Sequence, residues 1–221
     1  MHMKTKKLVI TAMLIAIATI LSVIKFFELP FGGTVTPAAM MPIVIAAYLF
    51  GVRWGLLASF VFGIMQLLCG MGTVSAFFLP GDSRMALGAA LAVCILDYIV
   101  AYTVLGFGGI FKGKFKNPLL EIAIGSIVAS FLRCLVHIVS GAIFFGSWAT
   151  WFFADSTGLS QISVFSGFCD WVMNNFSGAS LSVLYSVVYN LAYMIPETII
   201  TALTAPAILK ILQKSRVAET I

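Results

Sequence analysis

The 221-residue chain is 61% hydrophobic and only 10% charged, against the roughly 25% charged share of a soluble domain, and so reads as an integral membrane protein. Its net charge of +5 comes from short basic clusters between apolar runs, which are topology signals and exclude a nucleic-acid-binding face. Four cysteines, Cys69, Cys94, Cys134 and Cys169, form no C-x-x-C pair and sit mostly in apolar runs, so no metal, redox centre or cofactor is expected.

In chain order, the first apolar run, 8–27, follows a basic start but exceeds a signal-peptide core and lacks a convincing cleavage site, so it is expected to stay as the first span. The runs 37–50 and 54–68 are short against the roughly 20 residues needed to cross a bilayer, and either cross or form a re-entrant pair. The runs 85–107, 119–145 and 180–212 are long enough without qualification. Unbroken runs of this length do not suit barrel strands, and backbone in lipid must be bonded within its own segment, so helices are expected throughout. The expected fold is an all-α, six-transmembrane-helix bundle forming a single domain over 1–221. With both termini cytoplasmic, the inner side holds Lys4, Lys6, Lys7, Arg53, Lys112, Lys114, Lys116, Lys210, Lys214 and Arg216, and the outer side only Lys25 and Arg84. The one long connection, 146–179, then lies outside with three of the four tryptophans, either as an aromatic belt or as a lid over an outward-facing pocket.

The ionisable residues inside apolar runs are Asp97, Glu121, Arg133, His137 and Glu197. Such groups are costly in a membrane and usually functional. Glu121, near the basic "KGKFKNP" loop, is expected in an interfacial ion pair, and Glu197, after Pro196, stays without a role. Arg133 and His137 share a helix face at i, i+4, and Asp97 on the preceding, oppositely directed helix lies at their depth, so an Asp97–Arg133 pair is expected. In "LYSVVYNLAYMIPE", Tyr185, Tyr189 and Tyr193 form an i, i+4 stripe with Asn190 beside it. These groups on three helices describe a pocket for a small, flat, polar ligand with a cationic part.

"LRCLVHIVSGAIFFGSWA", "LYSVVYNLAYMIPE", "LDYIVAY" and "GGTVTPAAMMPIVIAAYLFGVRWGLLAS" together resemble the thiamine-specific substrate-binding subunit, or S component, of energy-coupling factor transporters. The resemblance covers most of the chain. It implies a thiamine pocket near the outer face of a bacterial plasma-membrane protein, and partnership with a transmembrane scaffold subunit and two ATPase subunits. It places the ligand-binding positions at Asp97, Tyr98, Arg133, His137, Phe145, Tyr185 and Asn190, with Trp148 and Trp151 close enough to substitute at the aromatic position of Phe145. An aromatic residue of the family's first outer loop falls on Gly33, so one pocket wall must come from elsewhere. The first helix carries Ala12 and Ala16 one turn apart, which the resemblance implies is the scaffold-docking face; internal packing is the other reading. Thiamine's thiazolium cation calls for a carboxylate and aromatic faces, with Arg133 holding Asp97 in place.

No G-x-x-x-x-G-K-[ST] phosphate loop is present, so ATP hydrolysis would fall to partners and the chain is not read as an enzyme. An intramembrane serine hydrolase is disfavoured because each Ser-Gly pair, in "VSGA", "FSGF" and "FSGA", lacks the preceding glycine of a G-x-S-G context. An S component for a different vitamin or a thiamine precursor is the nearer alternative.

Overall fold

A computed structural model describes residues 3–29, 32–154 and 158–215. Arg216, counted among the inner basic residues, lies outside them. The helices are α1 (Met3–Val23), α2 (Met41–Phe50), α3 (Val52–Cys69), α4 (Met71–Ala76), α5 (Leu87–Gly109), α6 (Pro118–Phe144), α7 (Ala149–Ala154), α8 (Ser166–Asn175) and α9 (Gly178–Lys214). Five of them, α1, α3, α5, α6 and α9, are long and apolar enough to cross a membrane. The protein is therefore an all-α, multi-pass membrane protein in its main architecture.

Local chemistry accounts for the helix ends. Asn117 caps α6 by accepting the Leu119 N–H at 3.0 Å, and Pro118 opens the helix where a missing N–H costs nothing. Ser177 and Ser180 form a capping box at the start of α9. Gly51, at φ +87°, makes the tight reversal between α2 and α3. Close helix approach relies on missing side chains: a Cβ at Gly125 of α6 would fall 2.1 Å from the carbonyl oxygen of Gly108 on α5.

Two features depart from an uninterrupted set of helices. First, Phe27–Glu28 (β1) and Thr34–Val35 (β2) pair antiparallel between α1 and α2. Second, the expected helix over 37–50 begins only at Met41, and its ten residues span about 15 Å, half of the hydrocarbon thickness. The chain enters α2 through a buried stretch from Val35 to Met40, in which Ala38 has φ +68°. Non-helical backbone at such depth is tolerated only inside protein. Nearly the whole of α2 is buried, with Ile43, Val44, Ala46 and Ala47 at or near zero exposure, because α1, α3, α5, α6 and α9 all pack around it.

The helix α5 is also irregular. Its middle, Cys94–Val100, is π-helical, and its end, Val104–Gly109, tightens to a 3₁₀ helix. Between α6 and α9 the connection is folded: α7 and α8 pack with Leu181, Tyr185 and Tyr189 in one buried cluster. The most extensive helix pairing is α6 with α9. The bundle thus has a loop-rich end, carrying β1, β2, α7 and α8, and an opposite end at which α1 starts and α9 finishes.

Candidate functional site

The principal cavity opens between β2, α5, α6 and α9 in the loop-rich half, with an empty volume of about 800 Å³ counting the space at its mouth. That size lies in the range of small-molecule sites. Asp97, Tyr98, Arg133, His137, Phe145, Tyr185 and Asn190, all singled out from the sequence, line it.

The polar groups form one connected chain. Asp97 sits in the π-helical part of α5, a distortion that recurs at functional sites because it re-aims side chains. One carboxylate oxygen meets His137 Nδ1 at 3.0 Å and the other accepts from Ser140 Oγ at 2.9 Å. Arg133 Nε donates to His137 Nε2 at 3.3 Å. With Nε2 accepting, the remaining proton of a neutral imidazole sits on Nδ1 and is donated to Asp97. Arg133 Nη2 donates to the Tyr102 hydroxyl at 2.9 Å, and the guanidinium lies 4.2 Å from the centre of that ring.

This corrects the expected Asp97–Arg133 pair. Among the described residues Asp97 pairs with His137, and Arg133 reaches it only through that imidazole. The carboxylate is held by two donors that are neutral in this arrangement, so its charge is not cancelled by direct contact with the guanidinium. Its side chain keeps 19% exposure, toward the cavity.

The walls are aromatic. Tyr185, Tyr189 and Tyr193 follow one another on α9 with ring centres 5.7 and 6.0 Å apart, and Phe77 meets Phe145 edge to face at 5.9 Å. Asn190 is 4% exposed; its carbonyl oxygen accepts from the Tyr193 hydroxyl at 2.7 Å and its amide donates to the Ser186 carbonyl at 2.8 Å. The missing side chain at Gly33 has a physical reason. A Cβ there would lie 2.7 Å from the Tyr193 ring, and the Gly33 N–H donates to the Tyr189 hydroxyl at 3.1 Å. Tyrosines of α9 therefore fill the wall for which the loop supplies no aromatic side chain.

Trp148 and Trp151 are not among the residues lining the cavity. They meet edge to face at 6.2 Å and pack against the buried cluster that contains the tyrosine stripe. The cavity also uses Tyr189 and Tyr193 of the tyrosine stripe, which the resemblance did not place among the ligand positions, and Tyr102, Phe77 and Thr73, which were not singled out from the sequence. For Tyr189 and Tyr193 the i, i+4 stripe was the available signal; Phe77 and Thr73 carry none, since they sit on and just after the short α4.

The other buried acids take different partners. Glu121, 2% exposed, is not in an ion pair among the described residues; it accepts from the Tyr48 hydroxyl at 2.6 Å and the Phe115 N–H at 2.8 Å. The loop before α6 turns its backbone donors onto the carboxylate, so lysine side chains are not needed. Glu197 accepts both the N–H and the hydroxyl of Thr36, the latter at 2.7 Å. On α1, Ala12 and Ala16 are exposed, whereas Ala18 is fully buried against Met40, Ile43 and Phe62.

Comparison with known proteins gives this geometry a family. The chain is 28% identical to the thiamine transporter ThiT of Bacillus subtilis (strain 168), over 92% of this chain and 94% of that protein. The family described as thiamine transporter protein matches residues 8–152, from α1 into α7 and well over half of the chain. A chain with this match, whose apolar helices enclose an aromatic cavity around one carboxylate, belongs to the thiamine transporter family.

Proposed function

We propose that the protein binds thiamine in the α5–α6–α9 cavity and serves as the S component of an energy-coupling factor transporter. The observation that carries this is Asp97: a cavity-facing carboxylate, bonded to His137 and Ser140, inside a ring of aromatic side chains. A permanent thiazolium cation matches it. The cation gains the carboxylate's charge and about 0.5–2 kcal/mol for each aromatic face it meets. Asn190, Tyr185 and His137 offer hydrogen-bonding groups to an aminopyrimidine, Tyr98 and Phe145 offer flat surfaces, and Arg133 keeps His137 oriented.

In this reading α2, with its extended lead-in, is the second of six passes, both termini face the cytoplasm of a bacterial cell, and the cavity opens outward. The basic residues of the terminus-bearing end support that orientation; Lys7 and Lys112, for example, bond to the Phe50 and Leu49 carbonyls there. Ala12 and Ala16, exposed on α1, supply the close-packing face for a transmembrane scaffold subunit, which with two ATPase subunits supplies energy. Trp148 and Trp151 support the tyrosine stripe by packing against its cluster.

The test is ligand extraction from protein purified without added vitamin, followed by mass spectrometry, and calorimetry with thiamine. Thiamine in the extract and saturable binding are expected. Recovery of another vitamin or a thiamine precursor would reassign the substrate and leave the transporter class standing.

A further inference from the structure

Glu197 is a carboxylate in the middle of the bundle, 2% exposed, and it does not line the ligand cavity. An ionisable group at that depth is costly, so its retention asks for a reason. Its Oε1 accepts from both Thr36 donors, and Thr36 Oγ in turn accepts the Ala39 N–H at 3.2 Å. It also borders a second, smaller cavity of about 280 Å³, which it shares with Arg133, Tyr102 and Gln66. Arg133, Tyr102 and Thr34 border both cavities.

The position of Glu197 on α9 adds the decisive point. It lies one turn beyond Tyr193 and two beyond Tyr189, on the same face. Tyr189 takes the Gly33 N–H, the Tyr193 ring lies against Gly33, and Glu197 takes the Thr36 N–H. Three successive turns of one helix therefore hold residues 33–36, of which Thr34 and Val35 pair in the short β ribbon and Gly33 accepts the Leu29 N–H beside it at 2.6 Å, while Thr36 is tied to α9 through Glu197. Those residues matter because Gly32, Gly33 and Thr34 form part of the ligand cavity's wall.

We propose that Glu197 is a positioning residue: through Thr36 it clamps the extended segment 33–36 to α9 and so sets how fast the ligand leaves the cavity. This rests on the reading of that cavity as the thiamine site. Both Thr36 donors fall on the one oxygen Oε1; an amide oxygen could also accept two, but hydrogen bonds to a charged acceptor are the stronger kind, so a carboxylate clamps more firmly.

The experiment compares wild type with Glu197→Ala, Glu197→Gln, Thr36→Val and the Glu197→Ala/Thr36→Val double variant, all as full chains in detergent. Amide hydrogen exchange at residues 33–36 is read in the empty protein, and thiamine dissociation by stopped-flow tryptophan fluorescence. Glu197→Ala removes both Thr36 bonds and should speed thiamine dissociation roughly tenfold or more. Exchange at 33–36 should rise with it. Thr36→Val and Glu197→Gln should fall between that variant and wild type, and the double variant should show clearly less than the sum of the two single effects, since both changes break the same link. Unchanged dissociation and exchange in Glu197→Ala, with only thermal stability lowered, would overturn the proposal. Should Glu197→Ala fail to fold, Thr36→Val and Glu197→Gln decide it by the same two readouts. Wild-type protein that binds no thiamine would refute the site reading, while exchange in the empty protein would still decide the clamp.

Discussion

Two carboxylates at opposite halves of the bundle, one buried and one half-buried, show how differently a membrane protein can treat the same group. Glu121, near the terminus-bearing end, is 2% exposed and takes the Tyr48 hydroxyl and the Phe115 N–H from the fold itself. Asp97, in the loop-rich half, has two side-chain donors, yet its side chain remains 19% exposed beside a cavity. The first acid is used up by the structure, and the second still has an open side. The nearest guanidinium is engaged with Tyr102 and His137 instead of Asp97, so its charge reaches the carboxylate only along a hydrogen-bonded relay and not by direct contact.

The sharpest way to break this comparison is to neutralise each acid in turn. Asp97→Asn keeps shape and most hydrogen bonding but removes the charge, and should weaken thiamine binding at least about tenfold, or ~1.4 kcal/mol, by calorimetry. Glu121→Ala should do the reverse. It strands the Tyr48 hydroxyl and the Phe115 N–H, lowering stability by about 1–3 kcal/mol while the affinity of the folded fraction stays at wild type. If both variants lose affinity equally, the distinction between a used and an open carboxylate is wrong.

A smaller effect is expected for the groups that orient and do not neutralise. His137→Ala and Asn190→Ala should each lower affinity by a few-fold to about tenfold, the size of one neutral hydrogen bond, without unfolding the bundle. Normal affinity accompanied by a collapsed melting temperature would make either residue structural. His137→Ala carries an additional signature, since it also removes the link between Arg133 and Asp97. Its effect should therefore be non-additive with that of Arg133→Met in a double-mutant cycle.

The smallest effect on binding belongs to α1. Ala12→Trp and Ala16→Trp alter a face that is exposed in this chain, so thiamine affinity should not move. Co-purification with the scaffold and ATPase subunits, and uptake in cells, should fail. A double variant that still assembles and transports would end the docking assignment, and one that loses binding would show that the face serves internal packing after all.

Local pattern was enough to identify a membrane bundle, because long apolar runs with few charges have no other stable home. The i, i+4 spacing of Arg133 and His137, and of the three tyrosines, likewise placed them on common faces before any packing was known. Depth along antiparallel runs put Asp97 near them. What depth could not decide was rotation: whether Asp97 meets Arg133 or His137 depends on how α5 turns about its axis, and the π-helical stretch at Cys94–Val100 changes that turn without a proline or glycine inside it to announce it.

The same limit applies to Gly33, Thr36 and Glu197. A glycine where an aromatic side chain was expected reads as a gap until Tyr189 and Tyr193, more than 150 residues away, are seen to occupy the space. An acid after a proline reads as a kink companion until Thr36 is found beside it. Composition and periodicity act within a segment, so the chain alone determined which segments are long and apolar enough to cross a membrane and which faces carry polar groups. Hydrogen-bond partners across the bundle, the half-length α2 and the division of two acids into one structural and one open to the cavity were decided only by tertiary packing. The reason is that each depends on the distance between segments remote in sequence, which no local spacing encodes.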